Sequence, residues 1–267
     1  MSGLRPVTLI TGASVGIGAA LARVFASHGH ELVLIARRAA EMEALADEIA
    51  AGGAKRPLVL PLDLTDPLAV GKINQFLAAA GAEPQHVVNN AGFGLVGCAD
   101  ALNHAEQLAM IDLNVRALTD LSLAWTSSLA RHRGGILNVA SIAGFMPGPC
   151  MAVYYATKAY VVSFSEALHA ELKSRNVRVT ALCPGPVRSE FQARAGVVDE
   201  EYPTLLTISA EDMAAAGYRG FMRGERLILP SLPLKIITIL VRLTPRAWVL
   251  AGIAKRQLRR YKNQPGP

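Results

Sequence analysis

A glycine-rich turn held between a strand pattern and a helix pattern limits what this chain can become. Val7 to Thr11 (VTLIT) is a short, unbroken apolar run, as expected of a strand buried on both faces. It leads into Gly12-Ala13-Ser14-Val15-Gly16-Ile17-Gly18. Ala19, Leu21, Ala22, Val24 and Phe25 then recur at helical spacing up to the stop at His28-Gly29, and Leu32 to Ile35 reads as a second strand. The result is a βαβ unit whose first turn lets backbone N–H groups approach a pyrophosphate at the positive end of a helix. Glycines at this spacing are weak evidence alone; their place between strand and helix is what informs.

The alternation continues. Glu41 to Ala51 reads as helix, ended by Gly52-Gly53, and Leu58 to Leu62 as a third strand before a helix that opens near Asp66-Pro67. His86 to Asn89, Ile136 to Ala140, Val177 to Leu182 and Leu227 to Leu229 read as further strands. Long helices are expected at His104 to His132 and Ala152 to Arg175, while residues 188–222 show no regular pattern. Strands alternating with helices imply an α/β fold, a parallel sheet of about seven strands wound on both faces, with ligand residues at the strands' C-terminal ends. No linker, repeat or low-complexity run divides the 267 residues. One domain is expected over 1–230, extended by helices over 231–267.

Chemistry-bearing residues gather at those strand ends. The second strand ends Ala36-Arg37-Arg38 with no acid before Glu41. A carboxylate there would hold ribose hydroxyls, whereas a guanidinium binds a 2′-phosphate bidentately, so NADP(H) is favoured over NAD(H). Asp63 either reaches an adenine edge or caps the following helix. Asn89-Asn90-Ala91-Gly92 ends the fourth strand; asparagine is a poor strand residue, and the amides either tie strand ends together or touch a ligand. Asn114 lies on a mostly apolar helix side, where it must be hydrogen-bonded, either fixing local packing or holding a water in a proton path. Ser141 follows the fifth strand. Tyr154 and Lys158 lie four residues apart and share a helix face. A phenol titrates near ~10. An ammonium ~4 Å away contributes on the order of 4 kcal/mol, enough to bring the phenol near ~7 and make it a usable acid.

Together these pieces resemble the short-chain dehydrogenase/reductase family in its single-domain form. The matching motifs are TGASVGIG (Thr11–Gly18), Asp63-Leu64, NNAG (Asn89–Gly92), Asn114, Ser141, YYATK (Tyr154–Lys158) and PGPV (Pro184–Val187), in the family's order and spacing over residues 7–190. The resemblance implies a Rossmann-type NAD(P)-dependent oxidoreductase. It implies that Tyr154 is the acid/base, Ser141 binds the substrate oxygen, Lys158 lowers the tyrosine pKa and holds the nicotinamide ribose, and Asn114 anchors a water leading to solvent. It implies that Gly12, Ser14, Ile17, Asn90, Gly92, Pro184 and Val187 line the cofactor; with the strand-end residues Arg37, Arg38 and Asp63, the motif neighbours Gly18, Leu64, Ala91 and Gly185, and Tyr154 and Lys158, they are the candidate cofactor site. Ser189 stands where many relatives have a threonine near the nicotinamide amide. No metal is implied.

Phe93, Phe145, Met146, Pro147, Cys150, Phe191 and Tyr202 would wall an apolar substrate pocket, which points to a hydrophobic ketone, aldehyde or secondary alcohol. The competing functions are a non-catalytic NADP(H)-binding sensor or scaffold and a nucleotide-sugar epimerase or dehydratase. An intact Ser-Tyr-Lys-Asn set argues against the first; the glycine spacing and short C-terminal region argue against the second. Homo-oligomers through the two long helices are common among members of the family.

The charge is unevenly placed. Residues 226–267 hold nine Lys/Arg and no Asp/Glu, leaving the rest at 18 basic and 21 acidic. This is a local basic surface, not a nucleic-acid-binding domain. Leu232 to Leu243 and Ala247 to Leu258 read as two apolar helices, with Lys255, Arg256, Arg259, Arg260 and Lys262 forming a basic end. They would lie on an anionic membrane, form a subunit contact or cap the substrate cleft. Three scattered cysteines and the absence of a signal-peptide pattern lead to the expectation of a cytoplasmic protein, with membrane association as one reading of its tail.

Overall fold

The computed structural model describes residues 3–186 and 207–263. Seven parallel strands form one sheet in the order β3-β2-β1-β4-β5-β6-β7. They are β1 (Arg5–Thr11), β2 (Leu32–Ala36), β3 (Leu58–Pro61), β4 (Ala82–Asn89), β5 (Gly135–Val139), β6 (Arg178–Leu182) and β7 (Leu227–Ile228). The strand order reverses between β1 and β4, opening a crevice above their C-terminal ends.

The apolar runs make sense as strands because both faces are covered. Ile10, Leu34, Val88, Leu137 and Leu182 point to one side, where α1 (Gly16–Ser27), α2 (Ala39–Ala51) and α8 (Ala210–Met222) supply Phe25, Met42 and Phe221. Leu9, Val33, Ile35, Val87, Ile136 and Val179 point to the other. There α3 (Ala69–Ala79), α5 (Leu118–Ala124), α6 (Thr126–Arg131) and α7 (Ala152–Leu172) supply Ile73, Leu121, Leu129 and Leu168. This period-two division is the pleat itself. Each fully buried side chain of this size contributes about 1.5–3 kcal/mol.

Most strand and helix ends fall within two residues of the sequence expectation, and the larger departures are at β4, the helix after it, α8 and the last helix. β4 starts at Ala82, not His86, although Pro84 cannot donate to the ladder. A register irregularity between Val7 and Thr8 accommodates it. The single helix expected over His104 to His132 is instead α4 (His104–Ile111), a π-helical turn (Asp112–Ala117), α5 and α6, with a break at Trp125. Trp125 leaves helical geometry, and its indole N–H donates to Asn74 Oδ1 on α3 at 2.7 Å. α8 lies in a stretch read as irregular. Its start is a capping motif: Ser209 Oγ accepts from Asp212 N at 3.0 Å. At the C-terminus, α9 (Leu232–Leu243) and α10 (Arg246–Asn263) form as expected, α10 running further at both ends.

Candidate active site

The glycine turn is shaped by what lies behind it. Gly12 and Gly16 have φ of 63° and 57°, the left-handed region that glycine occupies without strain. At Gly18 a Cβ would sit 2.2 Å from the Gly12 carbonyl oxygen and 2.4 Å from Asn90 Nδ2. Asn90 braces the turn from below, its amide donating to the carbonyls of Thr11 at 3.0 Å and Gly12 at 3.1 Å. Thr11 Oγ1 accepts from the N–H groups of Asn90 and Ala91 at 3.0 and 3.1 Å. The sequence did not single out Thr11. α1 begins with no side-chain cap and no acid in its first turn. A turn packed too tightly for a Cβ at Gly12 or Gly18, leading into an uncapped helix N-terminus, lets the backbone approach a dinucleotide's pyrophosphate.

At the β2 and β3 ends, Arg38 Nη2 donates to Ser14 Oγ at 3.3 Å, and Arg37 faces Asp63 at 4.0 Å. Both arginines are exposed. Asp63 Oδ1 accepts from Thr65 N at 2.9 Å and Thr65 Oγ1 at 2.8 Å, so Asp63 organises the turn before α3. Those bonds, chiefly the backbone one, hold its carboxyl below its ordinary pKa. Leu64 is buried in the core beneath. Asn89 does not face the crevice. Its amide donates to Ser122 Oγ and Asn138 Oδ1 at 3.0 and 2.9 Å, and Asn138 donates to Ser165 Oγ at 3.0 Å. This buried network ties β4 and β5 to α5 and α7.

Ser141, Tyr154 and Lys158 converge above β5. Ser141 Oγ caps a short 3₁₀ turn (Ile142–Phe145), accepting from Ala143 N at 3.1 Å, and is hydrogen-bonded to the Tyr154 phenol. Ile142 N donates to the Pro184 carbonyl at 2.9 Å, which joins this turn to the end of β6. Tyr154 is 8% exposed and packs with Phe93, Met110 and Ala143. The Lys158 ammonium donates to the Val139 carbonyl at 2.8 Å and lies 5.9 Å from the Tyr154 ring centroid.

The electrostatics correct the sequence expectation of a phenol near ~7. Burial pushes Tyr154 up to about 12, against a smaller lowering by Ser141. The same burial brings Lys158 down to about 8. The four-residue spacing put both groups on one helix face, as expected. It did not reveal that the lysine would turn to a strand carbonyl inside the core.

Asn114 sits in the π-helical turn, 1% exposed. Its amide donates to Phe93 O at 2.9 Å and Thr157 Oγ1 at 3.1 Å, and its Oδ1 accepts from Phe93 N at 3.1 Å. Both of its N–H donors are therefore spent on protein. A Cβ at Gly92 would sit 2.9 Å from that Oδ1. Thr157, which donates to Tyr154 O at 2.7 Å, is a second partner that the sequence did not reveal.

Among the expected pocket residues, Phe93 and Cys150 are buried, and Phe145, Met146 and Pro147 are half-buried. A closed crevice beside Tyr154, with no room for a water molecule, is lined by Leu95, Leu102, Gln107, Met110, Met151 and Val153. Cys98 and Cys150, far apart in sequence, meet here with their sulfurs at 3.8 Å. Val187, Ser189, Phe191 and Tyr202 lie outside the described residues. The tail closes over this side. Arg242 of α9 stacks on Phe145 at 5.6 Å, and Gln257 of α10 donates to Tyr155 Oη at 3.2 Å. A cavity of about 390 Å³ among Arg133, His169, Lys173 and Arg178 opens at the opposite, N-terminal ends of β5 and β6, away from this chemistry. Among the described residues, no group of His, Cys, Asp and Glu is placed to hold a metal.

The family model for short chain dehydrogenase matches residues 6–197. Sulfoacetaldehyde reductase 2 of Chromohalobacter salexigens is 35% identical over 219 residues, 79% of this chain and 86% of that one. The NADP-dependent 3-hydroxy acid dehydrogenase of Salmonella typhi is 33% identical over 218 residues, covering 79% and 86%. Among solved structures, a short-chain dehydrogenase from Sphingobium yanoikuyae in complex with NADPH superposes with TM-score 0.79 at 31% identity, covering 98% of both chains. The bulky-bulky ketone specific alcohol dehydrogenase of Comamonas testosteroni superposes with TM-score 0.73 at 29% identity, covering 98% of this chain and 96% of the other. The chain thus belongs to the short-chain dehydrogenase/reductase family and is an NAD(P)-dependent oxidoreductase.

Proposed function

We propose that the protein is an NADPH-dependent carbonyl reductase acting on hydrophobic ketones and aldehydes, and on the corresponding secondary alcohols in reverse. The observation that carries this reading is the hydrogen-bonded Ser141–Tyr154 pair among the apolar side chains of Phe93, Met110 and Ala143, with Lys158 buried beside it. The bound nicotinamide supplies the hydride. The protein's part is to stabilise charge and move one proton. Ser141 and Tyr154 aim hydroxyls at the place where a carbonyl oxygen becomes negative. Tyr154, kept protonated by burial, is the donor at neutral pH. Lys158 supplies the positive charge beneath, and Asn114 with Thr157 fixes the backbone that carries the tyrosine. A water route to solvent at this point would use the main chain of the π-helical turn, since the Asn114 N–H groups are engaged.

For the cofactor, Gly12, Gly16 and Gly18 cradle the pyrophosphate, and Arg37, Arg38 and Ser14 take the 2′-phosphate. Gly92, Ala91 and Pro184 line the nicotinamide half. The Salmonella relative's name and the NADPH in the Sphingobium structure support the preference. The Comamonas relative's name supports a bulky ketone as substrate. Leu108, Ile111, Leu123 and Tyr160, all exposed on α4, α5 and α7, support a homo-oligomer formed through those helices.

The test is NADPH consumption against small, aryl-alkyl and long-chain carbonyls, with NADH as control. The reading expects turnover that rises with apolar bulk and a preference for NADPH. No oxidation with any carbonyl would favour the sensor instead.

A further inference from the structure

The outer face of the tail has an apolar row that the fold does not use. On α9, Leu234 and Thr238 face inward and are 1% and 4% exposed. Leu232, Ile236, Ile239, Leu240 and Leu243 recur at helical spacing on the other side and are 68%, 49%, 56%, 56% and 77% exposed. Trp248, at the start of α10, is 72% exposed. A helix apolar on both sides has two partners, and the protein supplies only one among the described residues. Cations accompany the row: Lys235, Arg242, Arg246, Lys255 and Arg259 are all exposed. No acid occurs anywhere from residue 226 onward.

We propose that α9 and α10 form a docking surface for an anionic lipid bilayer, lying in its interface with Leu232, Ile236, Ile239, Leu243 and Trp248 inserted. Charge selects the occupant. A second copy meeting this face across a two-fold axis would set Lys235, Arg242, Arg246, Lys255 and Arg259 against the same cations of its partner, whereas anionic headgroups complement them. Among the described residues no helix is long and apolar enough to cross a membrane, so the contact is in-plane. The same helices touch Phe145 and Tyr155, so the docked face would bring the surroundings of Tyr154 to the lipid. Only this last point, delivery of an apolar carbonyl from the bilayer, rests on the carbonyl reductase reading.

The test uses the full chain with vesicles of phosphatidylglycerol or of phosphatidylcholine alone. Expected are sedimentation with the first, about tenfold weaker binding to the second, and a blue shift of Trp248 emission that lipid-borne quenchers reach. Trp125, 8% exposed, is shielded from them. Leu243→Ser with Trp248→Ser, at exposed positions, should lower binding about tenfold or more while NADPH binding and oligomeric state stay unchanged. Lys255→Gln with Arg259→Gln should do the same for phosphatidylglycerol only. Equal binding to both lipids, or none to either, overturns the proposal. So does a Leu243/Trp248 variant that changes oligomeric state, which would make the face a subunit contact. Because binding is read without turnover, an inactive enzyme that still docks would sink the carbonyl reductase reading alone.

Discussion

The Lys158 ammonium is held by the Val139 carbonyl at 2.8 Å, deep beneath Tyr154. This places a cation where burial brings its pKa down to about 8, a cost that the free protein carries for its chemistry. Replacing Lys158 by Met should therefore stabilise the protein while removing activity. The relief is about 3 kcal/mol at neutral pH, offset by about 1 kcal/mol for the carbonyl left without its donor. A net gain of about 2 kcal/mol raises Tm by about 4–8 °C. Thermal unfolding of the wild type and Lys158→Met at pH 7 checks it.

The same group fixes a sign for pH dependence. Lys158 titrates near 8 when folded and near 10.5 as its ordinary value, so the unfolded chain binds more protons between those points. Its contribution to stability should rise as pH climbs through that window and be absent in Lys158→Met. Tyr154 runs the other way. Its folded pKa lies near 12, above the ordinary 10, so its contribution is complete below 10 and is lost as pH rises through 12. Urea unfolding from pH 7 to 10, wild type against Lys158→Met, isolates the lysine term.

Arg38 reaches Ser14 Oγ across the glycine turn. If these groups and Arg37 hold a 2′-phosphate, Arg37→Ala with Arg38→Ala should raise the NADPH dissociation constant about 10–100-fold and leave NADH within about twofold. Fluorescence titration with both cofactors reads the difference. Equal weakening of both would assign the arginines to general electrostatics.

Gly18 has no room for a side chain. A Cβ would press on the Gly12 carbonyl and the Asn90 amide, two rigid parts of the turn. Gly18→Ala should cost about 1–3 kcal/mol in stability and weaken either cofactor more than tenfold. Chemical denaturation and NADPH titration would show both. Undiminished binding would mean that the turn is not the pyrophosphate cradle.

The fold was largely readable because buried parallel strands and amphipathic helices write different periods into the chain. The glycine turn and the Tyr154–Lys158 spacing were equally plain, since each needs particular residue types at fixed separations. What stayed hidden depends on tertiary neighbours. Pro84 argues against a strand until the irregularity opposite it is seen. Trp125 breaks a helix because Asn74 on another element holds its indole. Asn138 is unremarkable in sequence, and Thr11 and Thr157 stand inside motifs whose spacing gives them no role, yet they position the strand ends, Asn90 and Tyr154. The start of α8 was legible after all. Ser209 and Asp212 spell a capping motif in a stretch whose apolar residues are too small to show a strong period.

If Tyr154 is the proton donor, removing its hydroxyl alone stops turnover and spares cofactor binding. Tyr154→Phe keeps the ring among Phe93, Met110 and Ala143 and removes only the hydroxyl. With an apolar aryl ketone, kcat/KM should fall about 10²–10⁴-fold while the NADPH dissociation constant stays within about twofold. Turnover within tenfold of wild type, with cofactor still bound, would contradict the account.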